Sequence, residues 1–165
     1  MANFEETPQF VSGQSVAEYM DRFFRVRGWK VIPTTPHEER VLCLGDRHFL
    51  RDDDHYHVEY KSGIQTHYTG NVFLETVSVD SAGKAGWVYT CQADYIFYAA
   101  LLDGKILIFK PEKLREEIEG LKLRFKTVKT SNNQNSGYNT HGVIVPFEYA
   151  EKHLTCKVIE IPKAA

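Results

Sequence analysis

Gly45-Asp46-Arg47-His48-Phe49-Leu50 and, beyond a turn of three aspartates, Tyr56-His57-Val58-Glu59-Tyr60-Lys61 decide how this chain is read. Val41 to Leu50 reads as a strand, Asp52-Asp53-Asp54 as a turn, and Tyr56 to Lys61 as the returning strand of an antiparallel hairpin. Side chains alternate across a strand, so Glu59 and Lys61 share one face while apolar Val58 and Tyr60 turn to the other. Twelve residues separate Asp46 from Glu59. A strand that offers a carboxylate and an ammonium side by side has reason to be suspected of chemistry.

Upstream, residues 1–12 read as a loosely ordered lead-in. Ser15-Val16-Ala17-Glu18 is a capping box, and Val16, Tyr19, Met20 and Phe23 follow at helical spacing up to a stop at Gly28. Trp29 to Ile32 reads as a short strand broken by Pro33 and Pro36. Downstream, Ser62 to Gly70 is a polar loop and Asn71 to Val79 is a third strand, rich in β-branched residues. Trp87 to Leu102, dense in Ala, Tyr and Phe, is read as a buried helix. Lys105 to Lys110 is a continuous apolar run, the mark of a strand covered on both faces. Pro111 suits the first turn of a helix whose stripe is Leu114, Ile118, Leu121 and Phe125. Val143–Val145 and Cys156–Ile161 read as late strands around a short helix near Phe147 to His153.

The chain has 165 residues, enough for one domain with a proper core. It is expected to be a single α+β domain over 1–165, with a core over about 15–110 and an extension over 111–165. The formal charge of −2 gives no global attraction to nucleic acid, so any phosphate-binding surface must be local. No secretory pattern is visible, and no stretch approaches the ~20 apolar residues that cross a bilayer. Three widely spaced cysteines without a CxxC pair disfavour a zinc finger or a disulfide framework. A cytoplasmic, membrane-free setting is the expectation.

The order helix, three strands, helix, strand resembles the PD-(D/E)XK, or restriction-endonuclease-like, nuclease superfamily over roughly residues 15–110. The carrying segments are GDRHFL (45–50), VEYKSG (58–63), TGNVFLE (69–75), Gly86-Trp87 and Ala93 to Tyr95. They are similar to patterns in small phage- and plasmid-type members. The resemblance implies an αβββαβ core, followed here by a helix and two strands. It also implies a Mg²⁺- or Mn²⁺-dependent phosphodiesterase acting on nucleic acid, with DNA the expected polymer. Gly-Asp stands where the superfamily name has Pro-Asp, and there is an additional acidic strand. The direct register takes Asp46 with Glu59 and Lys61. A strict strand count instead makes Glu59 the first acid and Glu75 the second, with Val77 in the lysine slot. The direct register is preferred.

Mg²⁺ is a hard ion that takes oxygen ligands and keeps several waters, so one to three carboxylates suffice. Asp46, Glu59 and Glu75 are the candidate ligands and, with Lys61, the candidate catalytic set. Glu75 stands between Phe73 and Val77 on one strand face, where a lone carboxylate is costly unless paired or metal-bound. Glu18, His57, Gln65 and Gln92 are additional candidates. Gln92 with Tyr95 or Tyr98 loosely matches a glutamine–tyrosine pair of some exonuclease-like relatives. Arg47, Ser62, Thr66 and Lys84 are candidate nucleic-acid contacts, and residues 132–139 a candidate mobile substrate loop. Asp52, Asp53, Asp54, His55 and His57 form a rival cluster suited to a transition metal; His48 and His67 read as surface or loop residues. A homodimer is an expectation of fold analogy, since cutting two strands often needs two sites. The alternative is a catalytically inactive member of the fold that binds nucleic acid or a host or phage protein.

Overall fold

A computed structural model describes residues 13–131 and 137–162. The lead-in over 1–12 and residues 132–136 of the expected substrate loop lie outside the described residues. The elements are α1 (Gly13–Val26), β1 (Lys30–Pro33), α2 (Pro36–Arg40), β2 (Arg47–Arg51), β3 (Asp54–Ser62), α3 (Ile64–Thr69), β4 (Asn71–Val79) and β5 (Lys84–Ala85). There follow α4 (Trp87–Thr90), β6 (Tyr95–Ala100), β7 (Lys105–Phe109), α5 (Pro111–Arg124), β8 (Thr127–Ser131) and β9 (Asn139–Pro146). The last are α6 (Phe147–Tyr149), which runs on as a π-helical turn (Ala150–Leu154), and β10 (Lys157–Glu160).

A six-stranded mixed sheet has the order β1-β2-β3-β6-β7-β10, and a four-stranded sheet the order β5-β4-β9-β8. In the larger sheet β3 and β6 run parallel, while the other neighbouring pairs are antiparallel. The mixed α+β class expected from the sequence is therefore the one observed.

Alternation on the central strands builds a core on each side of the large sheet. Met20, Phe23 and Phe24 of α1 pack on Phe49, Val58, Tyr60, Phe97 and Ala99. Ile96, Tyr98, Leu107 and Phe109 face the other way, against Leu114 and Ile118 of α5 and Val72 and Leu74 of β4. Ile106 to Phe109 are apolar without alternation because β7 is covered on both faces.

Several expected elements are corrected. Residues 87–102 do not form one helix: α4 is a single turn, and 95–100 is a strand beside β3. Its residues are almost all buried, so both faces carry apolar side chains and the alternation that marks a strand disappears. The strand over 71–79 forms, but it belongs to the smaller sheet. Residues 41–46 precede β2 instead of extending it, and the expected loop over 62–70 contains α3. α1 starts at Gly13, which puts Ser15 inside the helix and not at its cap. A capping box does occur at Thr35 and Glu38, at the start of α2. The C-terminal extension holds three strands, because polar β8 adds to the edge of β9.

The expected order of helix, three strands, helix, strand is not the one observed: α2 separates β1 from β2, and α3, β4 and β5 separate β3 from α4. β1, β2 and β3 form the meander, the chain then makes an excursion through the second sheet, and it returns through α4 to β6. The strand carrying Glu59-Tyr60-Lys61 is thus the third of the meander.

Candidate active site

Asp46 and Glu59 meet because of register. Arg47 pairs with Val58 across the hairpin, so Asp46, one residue earlier, comes opposite Glu59. Directly opposed residues in an antiparallel pair project to the same face. Asp46 is locked there on both sides: its N–H donates to Val58 O at 2.9 Å, and its Oδ2 accepts from the Tyr60 N–H at 2.7 Å. Gly45 makes the approach possible. Its φ is +90°, and a Cβ would lie 2.7 Å from Val58 O and 2.8 Å from Glu59 N. The motif therefore needs Gly-Asp here: a side chain at 45 would push Asp46 off the strand.

Lys61 completes the pair, with Nζ 2.8 Å from Glu59 Oε1. The ammonium also lies 5.6 Å from the centroid of the Trp87 ring, within reach of a cation–π contact. Glu75 arrives from the other sheet. β4 slips register between Glu75 and Val77, a bulge of the kind that re-aims a side chain. Glu75 Oε1 accepts from the Trp87 N–H at 3.3 Å. That bond depends on Gly86, where a Cβ would fall 2.3 Å from Glu75 O.

The charges of Glu59, Asp46 and Glu75 all act on Lys61, while Glu75 is not among the groups that act on Glu59. Burial works against the Lys61 ammonium, yet Glu59, Asp46 and Glu75 outweigh it and hold its pKa above the ordinary lysine value. Burial pushes the Glu59 carboxyl up, Asp46 adds to the rise, and Lys61 does not cancel it. Burial likewise raises Glu75 against the pull of Lys61, the Trp87 amide and Lys84. Both glutamates are thus held in a place where the ionised form lacks sufficient positive charge. Cys91, nearby, is pushed up to about 11 by burial and is no nucleophile near neutral pH.

A cavity of about 540 Å³ opens beside Lys61. Exposed Ser62 and Gln65 stand at its rim, and Phe73, Trp87 and Tyr98 form aromatic walls. A larger cavity of about 770 Å³ lies on the α1 side of the sheet, lined by residues such as Phe24, Trp29 and Tyr56, away from the acids.

Other candidates divide. Lys84 is exposed on β5 and acts on Glu75 through its charge. His57 lies one position along the acidic face, its pKa lowered by burial and by His48 and His55. Gln92 is exposed, and its backbone N–H donates to Cys43 O. Three expectations are corrected by placement. Thr66 is buried, its hydroxyl 2.7 Å from the Tyr98 hydroxyl, which removes it from a phosphate backbone. Arg47 points to the α1 side and pairs with Asp21 at 2.9 Å. Glu18 is exposed on α1, while the acid that α1 buries is Asp21. Asp21 also accepts from the Tyr60 hydroxyl at 2.9 Å. The signal for it was present: it interrupts the run Tyr19-Met20 and Phe23-Phe24 on the apolar side of the helix. His48 is on β2 opposite His57 and is no loop residue.

Among the described residues, no helix is long and apolar enough to cross a membrane. Comparison with protein-family models, curated proteins and solved structures finds no match to the chain.

Proposed function

We propose that this chain is a metal-dependent nuclease that hydrolyses phosphodiester bonds at Asp46, Glu59, Lys61 and Glu75. The observation that carries the reading is that the hairpin register sets Asp46 opposite Glu59, with Lys61 Nζ 2.8 Å from Glu59 Oε1, while the charge of Glu75 reaches the same ammonium. Fully ionised, that set is two negative charges in excess of its one positive charge, and two of its acids have raised pKa values. A hard divalent ion matches both the charge deficit and the all-oxygen donor set. Among the described residues the three acids are not gathered into one ligand group; Asp46 and Glu59, opposed across the hairpin, would hold Mg²⁺ or Mn²⁺, which when bound polarises a phosphoryl oxygen and acidifies a water, and Glu75 adds its charge beside Lys61.

The chain's own residues supply the rest. Gly45 and the Tyr60 amide fix Asp46. Lys61 places a positive charge where charge develops on the phosphate, and its contact with Glu59 keeps it there. The cavity beside Lys61 offers hydrogen-bonding groups and aromatic walls of a size for one nucleotide unit. The PD-(D/E)XK resemblance rests on the sequence segments alone; the pairing of β2 with β3, which brings Asp46 opposite Glu59, supports the direct register. DNA as substrate and a homodimer rest on that analogy; a cytoplasmic setting rests on the three free cysteines.

The test incubates purified protein with single- and double-stranded DNA and RNA, with and without Mg²⁺ or Mn²⁺, beside Glu59→Ala and Lys61→Ala. The expected result is metal-dependent cleavage lost in both variants. Cleavage that survives in both rejects this site. No cleavage of any substrate favours the inactive binding protein.

A further inference from the structure

The hairpin face that carries Asp46 and Glu59 continues, one rung further, into three histidines. His48 is directly opposite His57, and His55 stands two residues before His57 on the same face of β3. One ring nitrogen from each lies within 4.8 Å of the others. His48 Nδ1 and His55 Nε2 are hydrogen-bonded to each other at 2.9 Å, a bond that an ion seated between them would replace.

The outer nitrogens each face a carboxylate, one within hydrogen-bond reach and the other beyond it. His48 Nε2 lies 2.8 Å from Glu38 Oε2, and His57 Nδ1 lies 3.7 Å from Asp94 Oδ2. Each carboxylate is itself anchored. Glu38 Oε1 accepts from the Thr35 N–H at 3.0 Å in the α2 capping box. Asp94 Oδ2 accepts from the His57 N–H at 2.8 Å. A carboxylate that takes the proton of one ring nitrogen leaves the other nitrogen's lone pair free, the usual arrangement behind a metal-bound imidazole. Glu38 does this for His48, while Asp94 holds the His57 backbone and lies near its ring.

We propose that His48, His55 and His57 form a binding site for one divalent transition-metal ion of the Zn²⁺ class, with Glu38 as its supporting carboxylate. Three imidazoles select Zn²⁺, Co²⁺, Ni²⁺ or Cu²⁺ and offer little to Mg²⁺. Three protein ligands leave a fourth position, on the side of exposed His55, for water or an anionic group. Successive rungs on one strand face are about 7 Å apart, so this ion is separate from one held by Asp46 and Glu59. Its spacing also exceeds the ~4 Å of a two-metal phosphodiesterase pair. The site stands whether or not the chain is a nuclease.

The experiment titrates tag-free, full-length, chelator-treated protein with Zn²⁺ by calorimetry, and with Co²⁺ by visible absorbance. One Zn²⁺ per chain is expected, with cobalt ligand-field bands. His55→Ala should weaken binding at least ~100-fold and Glu38→Gln about 10-fold. Glu59→Gln should leave it within about 3-fold, because the acids one rung away are not ligands. Absence of stoichiometric Zn²⁺ binding to the wild type overturns the proposal, as does binding that survives in a His48→Ala/His55→Ala protein with an unchanged circular dichroism spectrum. If a histidine variant does not fold, imidazole NMR of the wild type decides. One equivalent of Zn²⁺ should move the resonances of these three of the seven histidines, and movement of the others instead overturns it.

Discussion

The two faces of the β2–β3 hairpin are built from alternate residues of the same strands, yet they treat charge in opposite ways. Toward α1, Asp21, Arg47 and Tyr60 form a closed set: one acid takes a guanidinium at 2.9 Å and a hydroxyl at 2.9 Å, beneath apolar Phe49 and Val58. Toward α4 and β4, Asp46, Glu59 and Glu75 share one amine. The first face has a partner for each charge and reads as architecture. The second is left short of positive charge in a partly buried place, which folding alone gives no reason to keep. Buried charge by itself does not mark a site; buried charge of unbalanced sign, beside a cavity, does.

The largest effect should separate the faces by what is lost. Glu59→Gln and Lys61→Met should each reduce cleavage by about 10³-fold, roughly 4 kcal/mol of transition-state stabilisation. Thermal unfolding should move little in either variant. Asp21→Ala should do the reverse. It strands a half-buried guanidinium and the Tyr60 hydroxyl, at a cost of about 3 kcal/mol, or a Tm fall of about 6–12 °C for a chain of this size. A collapse in stability of Glu59→Gln equal to that of Asp21→Ala would erase the distinction between the faces.

How much of this was legible follows from where information sits in a chain. Glu59 and Lys61 share a face by a rule of two, and Asp46 joins them once the hairpin is paired, so the central trio is visible in sequence. So are α5, with its stripe of Leu114, Ile118 and Leu121, and β7. β6 was hidden because burial on both faces removes its period and Ala99-Ala100 favours a helix. β8 was hidden for the opposite reason: Thr127 to Ser131 is a polar edge that only β9 makes into a strand. Thr35-Pro36-His37-Glu38 carries a plain helix-start signal, the capping box of α2. The histidine triangle required the register, since His48 meets His57 only across the hairpin. Gly45 and Gly86 act through close backbone approaches, which no local pattern encodes.

The next prediction sharpens the comparison with a ligand. If the acidic face is short of positive charge, a divalent ion should stabilise the folded chain, while the closed face gives it nothing to bind. Mg²⁺ at about ten times its dissociation constant should add about 1.4 kcal/mol, a rise of roughly 3–6 °C in Tm. Asp21→Asn should keep this rise from its lower starting point, and Glu59→Gln should lose most of it. Differential scanning fluorimetry with and without chelator reads both. An equal rise in wild type and Glu59→Gln would place the ion elsewhere.

The smallest effect is a dependence on pH without metal, and its sign is fixed by the direction of the shifts. Burial and Asp46 raise the Glu59 carboxyl above the ordinary glutamate value of about 4.3, and burial raises Glu75. Between that value and the raised one, the folded chain holds more protons than the unfolded chain, so stability falls as pH rises. Below the window both states are protonated, and above it both are ionised with the full penalty in place. Lys61 does not contribute in this range: its raised pKa confers stability that is present below about 10.4 and lost only at higher pH. Glu59→Gln cannot ionise at that position. In chelator its stability should therefore gain on the wild type as pH climbs through the window and hold a constant lead beyond it, by less than the metal-induced shift. Urea unfolding at a series of pH values measures the difference, and a lead that is largest in acid and vanishes at neutral pH would mean that Lys61 already neutralises Glu59, leaving the second face as closed as the first.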